Sequence, residues 1–322
     1  MKSLMGVFGW ACVVAVLLWL GLFIATGEQF IVVRWISYVL PWLAGLLLIT
    51  ALAAFFLLHR RWQSGIAALL ALLLLLPYAP RFIPSGSGHA DAGQRQIYKV
   101  MTYSKMGRND DIDAVARVVM AEKPDILFMQ EIGGTEAEQL INKISAQYHS
   151  KISFFVDNHT GLVASRFKVV SRWKMGDGVV HVEIELPDGV INAWNVHLQK
   201  SLSTTGIQYK TVDHLAAQVQ HTDGPVLVAG DFNATTINYP CVKMNQYLDD
   251  AFEQAGFGFG FTFPSPARRM GMITPFMRID HIYFSHHFIV HKAYVVDDAG
   301  GSDHYPVVAL MSFTDTPVAT VP

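Results

Sequence analysis

Between Lys2 and residue 81 the chain carries only four charged side chains, Glu28, Arg34, Arg60 and Arg61. A block this poor in charge has no polar face to turn to water, so it must be buried in protein or in lipid. It divides into three apolar runs, at residues 4–26, 31–58 and 65–79. The first is as long as a bilayer core requires. The second contains Pro41, and Arg34 lies near enough to its start to reach the interface. The third is short, but Trp62, Tyr78 and Phe82 suit the interfacial belts. A cleaved signal peptide would account for the first run alone, behind Lys2, and a hairpin of buried soluble helices is the other alternative. Three successive runs predict three transmembrane helices, a membrane anchor over residues 1–80.

Orientation follows from the basic residues. Lys2 and the pair Arg60-Arg61 mark cytoplasmic ends, whereas the first loop holds Glu28, Gln29 and Arg34. The positive-inside rule then puts the amino terminus in the cytoplasm and the residues after 81 outside it, in a periplasm, a lumen or the exterior. Residues 81–96 include the Gly- and Ser-rich stretch 84–93 and read as a linker. The part from 97 to 314 is long enough for one α/β domain with a full core, and 315–322 form a tail. Of the 24 Lys and Arg, four precede residue 81; of the 26 Asp and Glu, one does. The later domain is therefore net acidic, which disfavours a protein that grips long nucleic acid through its phosphates. With only Cys12 and Cys241, neither a disulfide framework nor a cysteine zinc site is available.

After residue 97 the apolar pattern alternates between periods of two and of 3.6. Strands are expected at 97–103, 126–129, several times within 152–196, and at 226–229, 279–284, 288–296 and 307–311. Helices are expected at 112–122, 136–147 and 204–220. Many strands with few helices predict two packed sheets flanked by helices.

Several of these strands stop in polar residues. The run 126–129 ends in Gln130-Glu131, where a carboxylate can hold a hard cation through oxygen. The run 226–229 ends in Gly230-Asp231-Phe232-Asn233; the glycine lets ligand or backbone approach closely. Asp231 and Asn233 would share a face in an extended chain and could orient a water and a phosphate oxygen, an Asx-turn being the plain alternative. Asn195-Val196-His197 brings an imidazole to a strand end, and Asp280 opens the strand beginning Asp280-His281. Ser302-Asp303-His304 places a carboxylate beside an imidazole at the entrance to the last strand, suited to a metal ligand next to a proton-transfer group. A buried Asp280 accepting the proton of His304 would fix its tautomer. Ser302, Asp303 and His304 cannot line up as a serine-hydrolase relay. His287 and His291 would stand about 13 Å apart on a strand, too far for one zinc ion.

Taken in order, Thr102-Tyr103-Ser104, Gln130-Glu131, Gly161-Leu162-Val163-Ala164-Ser165-Arg166, Asn195-Val196-His197-Leu198, Gly230-Asp231-Phe232-Asn233, Arg278-Ile279-Asp280-His281 and Ser302-Asp303-His304 resemble the motifs of the endonuclease/exonuclease/phosphatase superfamily. DNase I, apurinic endonucleases, neutral sphingomyelinases and inositol polyphosphate 5-phosphatases are members. The resemblance covers 97 to about 313. It implies an α/β four-layer αββα sandwich and a metal-dependent phosphoric ester hydrolase. The metal implied is Mg²⁺, with Mn²⁺ as the alternative. Glu131 would be the principal ligand, supported by Asp303 directly or through water. Ser104 stands at this metal site where the family has Asn, a shorter group with a hydroxyl in place of the amide. His304, oriented by Asp280, would act on the phosphate or the attacking water; Asp231 would align and deprotonate that water; Asn233 and His197 would bind phosphate oxygens. Asp231 and His304 both remain candidates for the base.

Three functions compete. The first is a membrane-tethered phosphodiesterase or phosphatase, whose partners are the lipid bilayer and a phosphorylated substrate, a phospholipid or sphingolipid among them. The loop 256–277 supports it, because its many Phe and Met side chains could dip into lipid while Arg268 and Arg269 hold phosphate; packing on the domain's own core is the alternative for that loop. The second is an extracytoplasmic nuclease acting on nucleic acid. The third is a non-catalytic binding protein with a relic site.

Overall fold

The computed structural model describes residues 2–83, 95–148, 152–157, 161–176, 178–200, 206–267 and 275–314. The chain divides into two compact units, one reaching to Pro80 and the other beginning at Arg81.

The first unit holds α1 (Lys2–Thr26), α2 (Ile31–Tyr38), α3 (Leu40–Phe56) and α4 (Arg61–Leu75). Trp19 Nε1 donates to Val33 O at 3.0 Å and Gln63 Nε2 to Gly6 O at 2.9 Å, so polar side chains stitch α1 to α2 and α4. Leu4, Phe8, Leu18, Ile49, Leu52 and Leu72 are exposed apolar side chains on these helices. Two stretches, Ser3–Thr26 and Arg61–Phe82, are long and apolar enough to cross a membrane. The expected second span is broken: α2 and α3 meet at a bend of 75°, and three spans result only if that pair counts as one. Pro41, the second residue of α3, explains the break, since its ring would clash with a helical carbonyl four residues earlier and it has no N–H to offer.

The second unit contains, in order, β1 (Tyr98–Ser104), α5 (Ile112–Glu122), β2 (Ile126–Gln130), α6 (Gly134–Tyr148), β3 (Ser153–Asp157), β4 (Gly161–Ser165), β5 (Lys168–Gly176), β6 (Val179–Leu186), β7 (Gly189–His197), α7 (Gly206–Gln220), β8 (Val226–Asp231), α8 (Tyr239–Met244), β9 (Asp249–Asp250), α9 (Ala251–Ala255), β10 (Asp280–Phe284), β11 (Phe288–Val295) and β12 (Val307–Phe313). Among the described residues the strands form two mixed sheets, ordered β11-β12-β1-β2-β4-β3 and β5-β6-β7-β8-β10-β9. Each has one parallel pair at its centre, β1 with β2 and β7 with β8.

Alternation along the strands builds the layers. Val100, Ile126, Phe128 and Val163 of the first sheet meet Val182, Ile191, Ala193, Leu227, Ala229 and Ile282 of the second in one core between the sheets. The intervening residues Met101, Tyr103, Leu127 and Met129 pack instead under α5 and α6. Trp194, Val196, Val226 and Val228 pack under α7 and α8. Two packed sheets flanked by helices are therefore present.

Candidate active site

The inter-sheet phase does not stay apolar to the strand ends. With a period of two, the positions after Val100, Phe128, Ala193 and Ala229 on that face are Thr102, Gln130, Asn195 and Asp231. All four are buried, as is Asp280, two residues before Ile282 on β10. The space between the sheets thus turns polar at one end. Gln130 Nε2 donates to Asn195 Oδ1 across the two sheets at 2.7 Å and to Thr102 Oγ1 at 3.2 Å. Asn195 Nδ2 donates back to Met129 O and Leu162 O, so this floor is hydrogen-bonded throughout.

Above the floor stand the candidate catalytic groups. Glu131, just past β2, has φ 58°, a left-handed conformation that carries its carboxylate out of the strand's phase. Its Oε2 accepts the Gly107 N–H at 2.7 Å, and its Oε1 lies 3.5 Å from His197 Nε2. Burial raises the Glu131 carboxyl, but the Gly107 N–H and the nearby His197, Lys200 and His304 outweigh it and hold the group below its ordinary value. On the opposite sheet, β8 stops at Asp231. Gly230 has φ 155°, and a Cβ there would come within 1.8 Å of Val196 O, so the glycine is required by the neighbouring strand's backbone. Asn233, at φ 46°, donates its N–H to Asp231 Oδ1 at 2.8 Å, and its Nδ2 donates to Asp231 Oδ2 at 3.2 Å and to Leu198 O at 2.8 Å. The pair forms an Asx-turn, and the Asn233 amide steadies the carboxylate.

His304 lies among three carboxylates. Its Nδ1 is 2.9 Å from Asp280 Oδ2, and its Nε2 is 3.8 Å from Asp231 Oδ2 and 3.9 Å from Asp303 Oδ1. Phe263 packs on the imidazole with ring centroids 4.8 Å apart. The loop is pinned from both sides. Ser302 Oγ donates to Ser104 O at 2.6 Å and accepts the His304 N–H at 2.9 Å, while Ser265 N–H donates to Asp303 O at 2.7 Å. Burial lowers the His304 imidazole, but Asp280 and Asp231 overcome it and push it up to about 9. Burial pushes Asp231 up to about 6, with His304 working against the rise and Asp280 adding to it.

The donor set fits a divalent cation. One ligand atom each from Glu131, His197 and Asp231 lies within 4.8 Å of the others, and so does one each from Asp231, Asp280 and His304. Carboxylates from both sheets converge with imidazole nitrogen, the oxygen-rich environment a hard cation takes. Among the described residues Asp303 and Ser104 join neither group, and the buried Ser104 Oγ and Asp280 Oδ1 have no hydrogen-bond partner. Arg268, Arg269 and the neighbouring Met270, Met272 and Ile273 lie outside the described residues. The sequence motifs give no role to Gly107, Phe263 or the Gln130–Asn195 bridge; of these only the bridge leaves a trace in the sequence, the phase that Thr102, Gln130 and Asn195 share with the core.

The profile of the Endonuclease/Exonuclease/phosphatase family matches residues 102–304. Among solved structures, an endonuclease/exonuclease/phosphatase from Beutenbergia cavernae is 20% identical, with a TM-score of 0.56 over 70% of this chain and 74% of its own. One from Bacteroides vulgatus is 17% identical, with a TM-score of 0.58 over 68% of this chain and 100% of its own. D. rerio TDP2 complexed with a single-strand DNA product is 14% identical, with a TM-score of 0.55 over 67% and 99%. No curated protein matches the chain. At these identities the neighbours bear on the fold alone. The match from Thr102 to His304 takes in every strand-end group described above, and by it the chain belongs to the endonuclease/exonuclease/phosphatase family.

Proposed function

We propose that the chain is a membrane-anchored, Mg²⁺-dependent phosphoester hydrolase that acts outside the cytoplasm on a lipid head group or another phosphorylated compound near the bilayer. Residues 1–80 serve as the anchor and 97–314 as the catalytic domain, with 81–96 as the linker, the first residues of which pack on that domain, and 315–322 as a tail. The observation that carries the chemistry is the meeting of Glu131, Asp231, Asp280 and His304, from four separate strand ends, at one polar end of the inter-sheet core.

Glu131, with Asp303 and Ser104, would hold the cation. When bound, a divalent cation neutralises charge building on the phosphate and the leaving oxygen. His197 and Asn233 would bind the phosphate oxygens; Arg268 and Arg269, candidates for the same task by their charge, lie outside the described residues. Asp231, ionised at neutral pH with its value near 6, takes the proton of the attacking water. The water oxygen forms a bond to phosphorus as the bond to the leaving oxygen breaks. His304, held as imidazolium by Asp280, donates to a phosphate oxygen or to the departing group.

A second reading, nuclease, is favoured by the likeness to D. rerio TDP2, solved with single-strand DNA. The acidic balance of the domain weighs against it. The purified full chain in liposomes, supplied with Mg²⁺ or Mn²⁺, is offered phospholipids, sphingomyelin, plasmid DNA and a generic phosphodiester. Lipid turnover is expected; salt-sensitive DNA cleavage without lipid turnover replaces the first reading with the second. A phosphatase-fusion assay should report the domain outside, and reporter activity only in the cytoplasm overturns that orientation.

A further inference from the structure

We infer that Phe82, Ile83, Phe257 and Phe259 form a surface of the catalytic unit that contacts the lipid bilayer and turns the active-site loop toward its head groups. This rests on the reading of the apolar helices as a membrane anchor.

The second of the two apolar stretches runs from Arg61 to Phe82, so a span built from it ends at Phe82. The arginine just before that end sits neither in water nor in lipid. Arg81 is 2% exposed; its Nη2 donates to Glu253 Oε1 at 2.7 Å and to Thr236 Oγ1 at 2.5 Å, and its carbonyl accepts the Gly258 N–H at 3.0 Å. Arg278 shares Glu253 and Thr236 and binds both oxygens of Asp250. A guanidinium buried in such a network fixes the path of its backbone. Phe82 is therefore a rigid part of the unit that begins at Arg81.

Its ring meets Phe257 and Phe259 edge-on, with centroids 6.0 and 5.0 Å apart, and Phe259 stacks on Phe261. Yet Phe257 is 69% exposed, Ile83 66% and Phe82 45%. A fixed aromatic cluster left open where a membrane span ends has the composition and position of an interfacial belt. The same segment runs on to the site: Thr262 O accepts the Tyr305 N–H at 2.8 Å and Ser265 N–H donates to Asp303 O. Fewer than ten residues separate the lipid-facing Phe257 from backbone that holds the Asp303–His304 loop.

The full chain carrying Cys12→Ser is given one nitroxide at Phe257→Cys or, where that variant misfolds, at the already exposed Ile83→Cys, and reconstituted in liposomes. Cys241 is fully buried, and the Cys12→Ser chain without added cysteine measures any labelling there. Collisions with oxygen are expected to exceed those with a nickel chelate at both sites, with the reverse at Lys168→Cys on the exposed face of β5. A label at 257 and 83 as open to the nickel chelate as the one at 168 overturns the inference. So does shielding from both reagents, which would mean that another part of this chain or a second copy covers the patch. Alkaline carbonate extraction separates the two levels: release of the chain sinks the anchor reading itself, whereas retention with wet labels sinks only this surface.

Discussion

Strand β10 begins with two adjacent residues that each join a buried histidine–aspartate pair, and the pairs differ in one nitrogen. Asp280 faces between the sheets and binds His304 Nδ1 at 2.9 Å; among the described residues His304 Nε2 has no acceptor nearer than 3.8 Å. His281 faces the helices. Its Nδ1 lies 2.7 Å from Asp250 Oδ2 and its Nε2 3.0 Å from Ala234 O, with Cys241 Sγ at 3.5 Å. One imidazole keeps a nitrogen for a reacting group. The other has both nitrogens spent on acceptors, which makes it a structural cation. A pair of the same chemistry becomes catalytic or structural according to whether its second nitrogen is already occupied.

Substitution should separate the pairs. Removing the open histidine, His304→Ala, or the carboxylate that faces it across the site, Glu131→Ala, should lower turnover at least about 100-fold, and EDTA should abolish it. Unchanged turnover in either variant removes that residue from the site. Asp280→Asn keeps the shape but not the charge behind His304, and a loss of about 10- to 100-fold is expected in kcat with a shifted pH profile.

The closed pair should respond in stability. His281→Ala strips a partner from buried Asp250 and should cost about 3 kcal/mol of unfolding free energy while the folded protein turns over much as before. Burial lowers His281, but the Cys241 sulfur and the hydrogen bond to Asp250 prevail over it and over Arg278, raising the imidazole to about 10. A raised value stabilises the fold most below the unfolded histidine's ordinary 6.5, and that contribution is lost as pH climbs through about 10. The gap in thermal midpoint between the natural chain and His281→Ala should accordingly close toward pH 10; a gap independent of pH would mean that the ring serves by packing alone. The smallest effect is expected of Ser104→Asn, which puts an amide in place of a hydroxyl that has no hydrogen-bond partner among the described residues and should tighten metal half-saturation about two- to tenfold.

Much of the site could be read in advance because the strands that build it stop abruptly in polar residues. Asp231, Asp280 and the Asp303–His304 pair each interrupt or precede an apolar run. Helix α5 is legible at its observed bounds, since eleven residues show a 3.6 period clearly. Helices α8 and α9, six and five residues long, are too short for periodicity to register. The bend at Pro41 was hidden by uniform apolarity on both sides of it. His281 and Asp250 lie 31 residues apart, and no local pattern ties them together. Nor does spacing reveal that a backbone N–H at Gly107 holds Glu131, because that contact depends on how the chain turns after two neighbouring central strands, β1 and β2.

Glu131 leaves from one sheet and Asp231 from the other, and behind them Gln130 bonds Asn195 across the divide. That amide bridge works as a spacer bar. Any side chain that thickens the filling between the sheets, even deep in the apolar part, would lever the two carboxylates apart without touching either. The grip on a cation is therefore a property of the whole sandwich's thickness, and swollen interior variants should lose metal before they lose their fold.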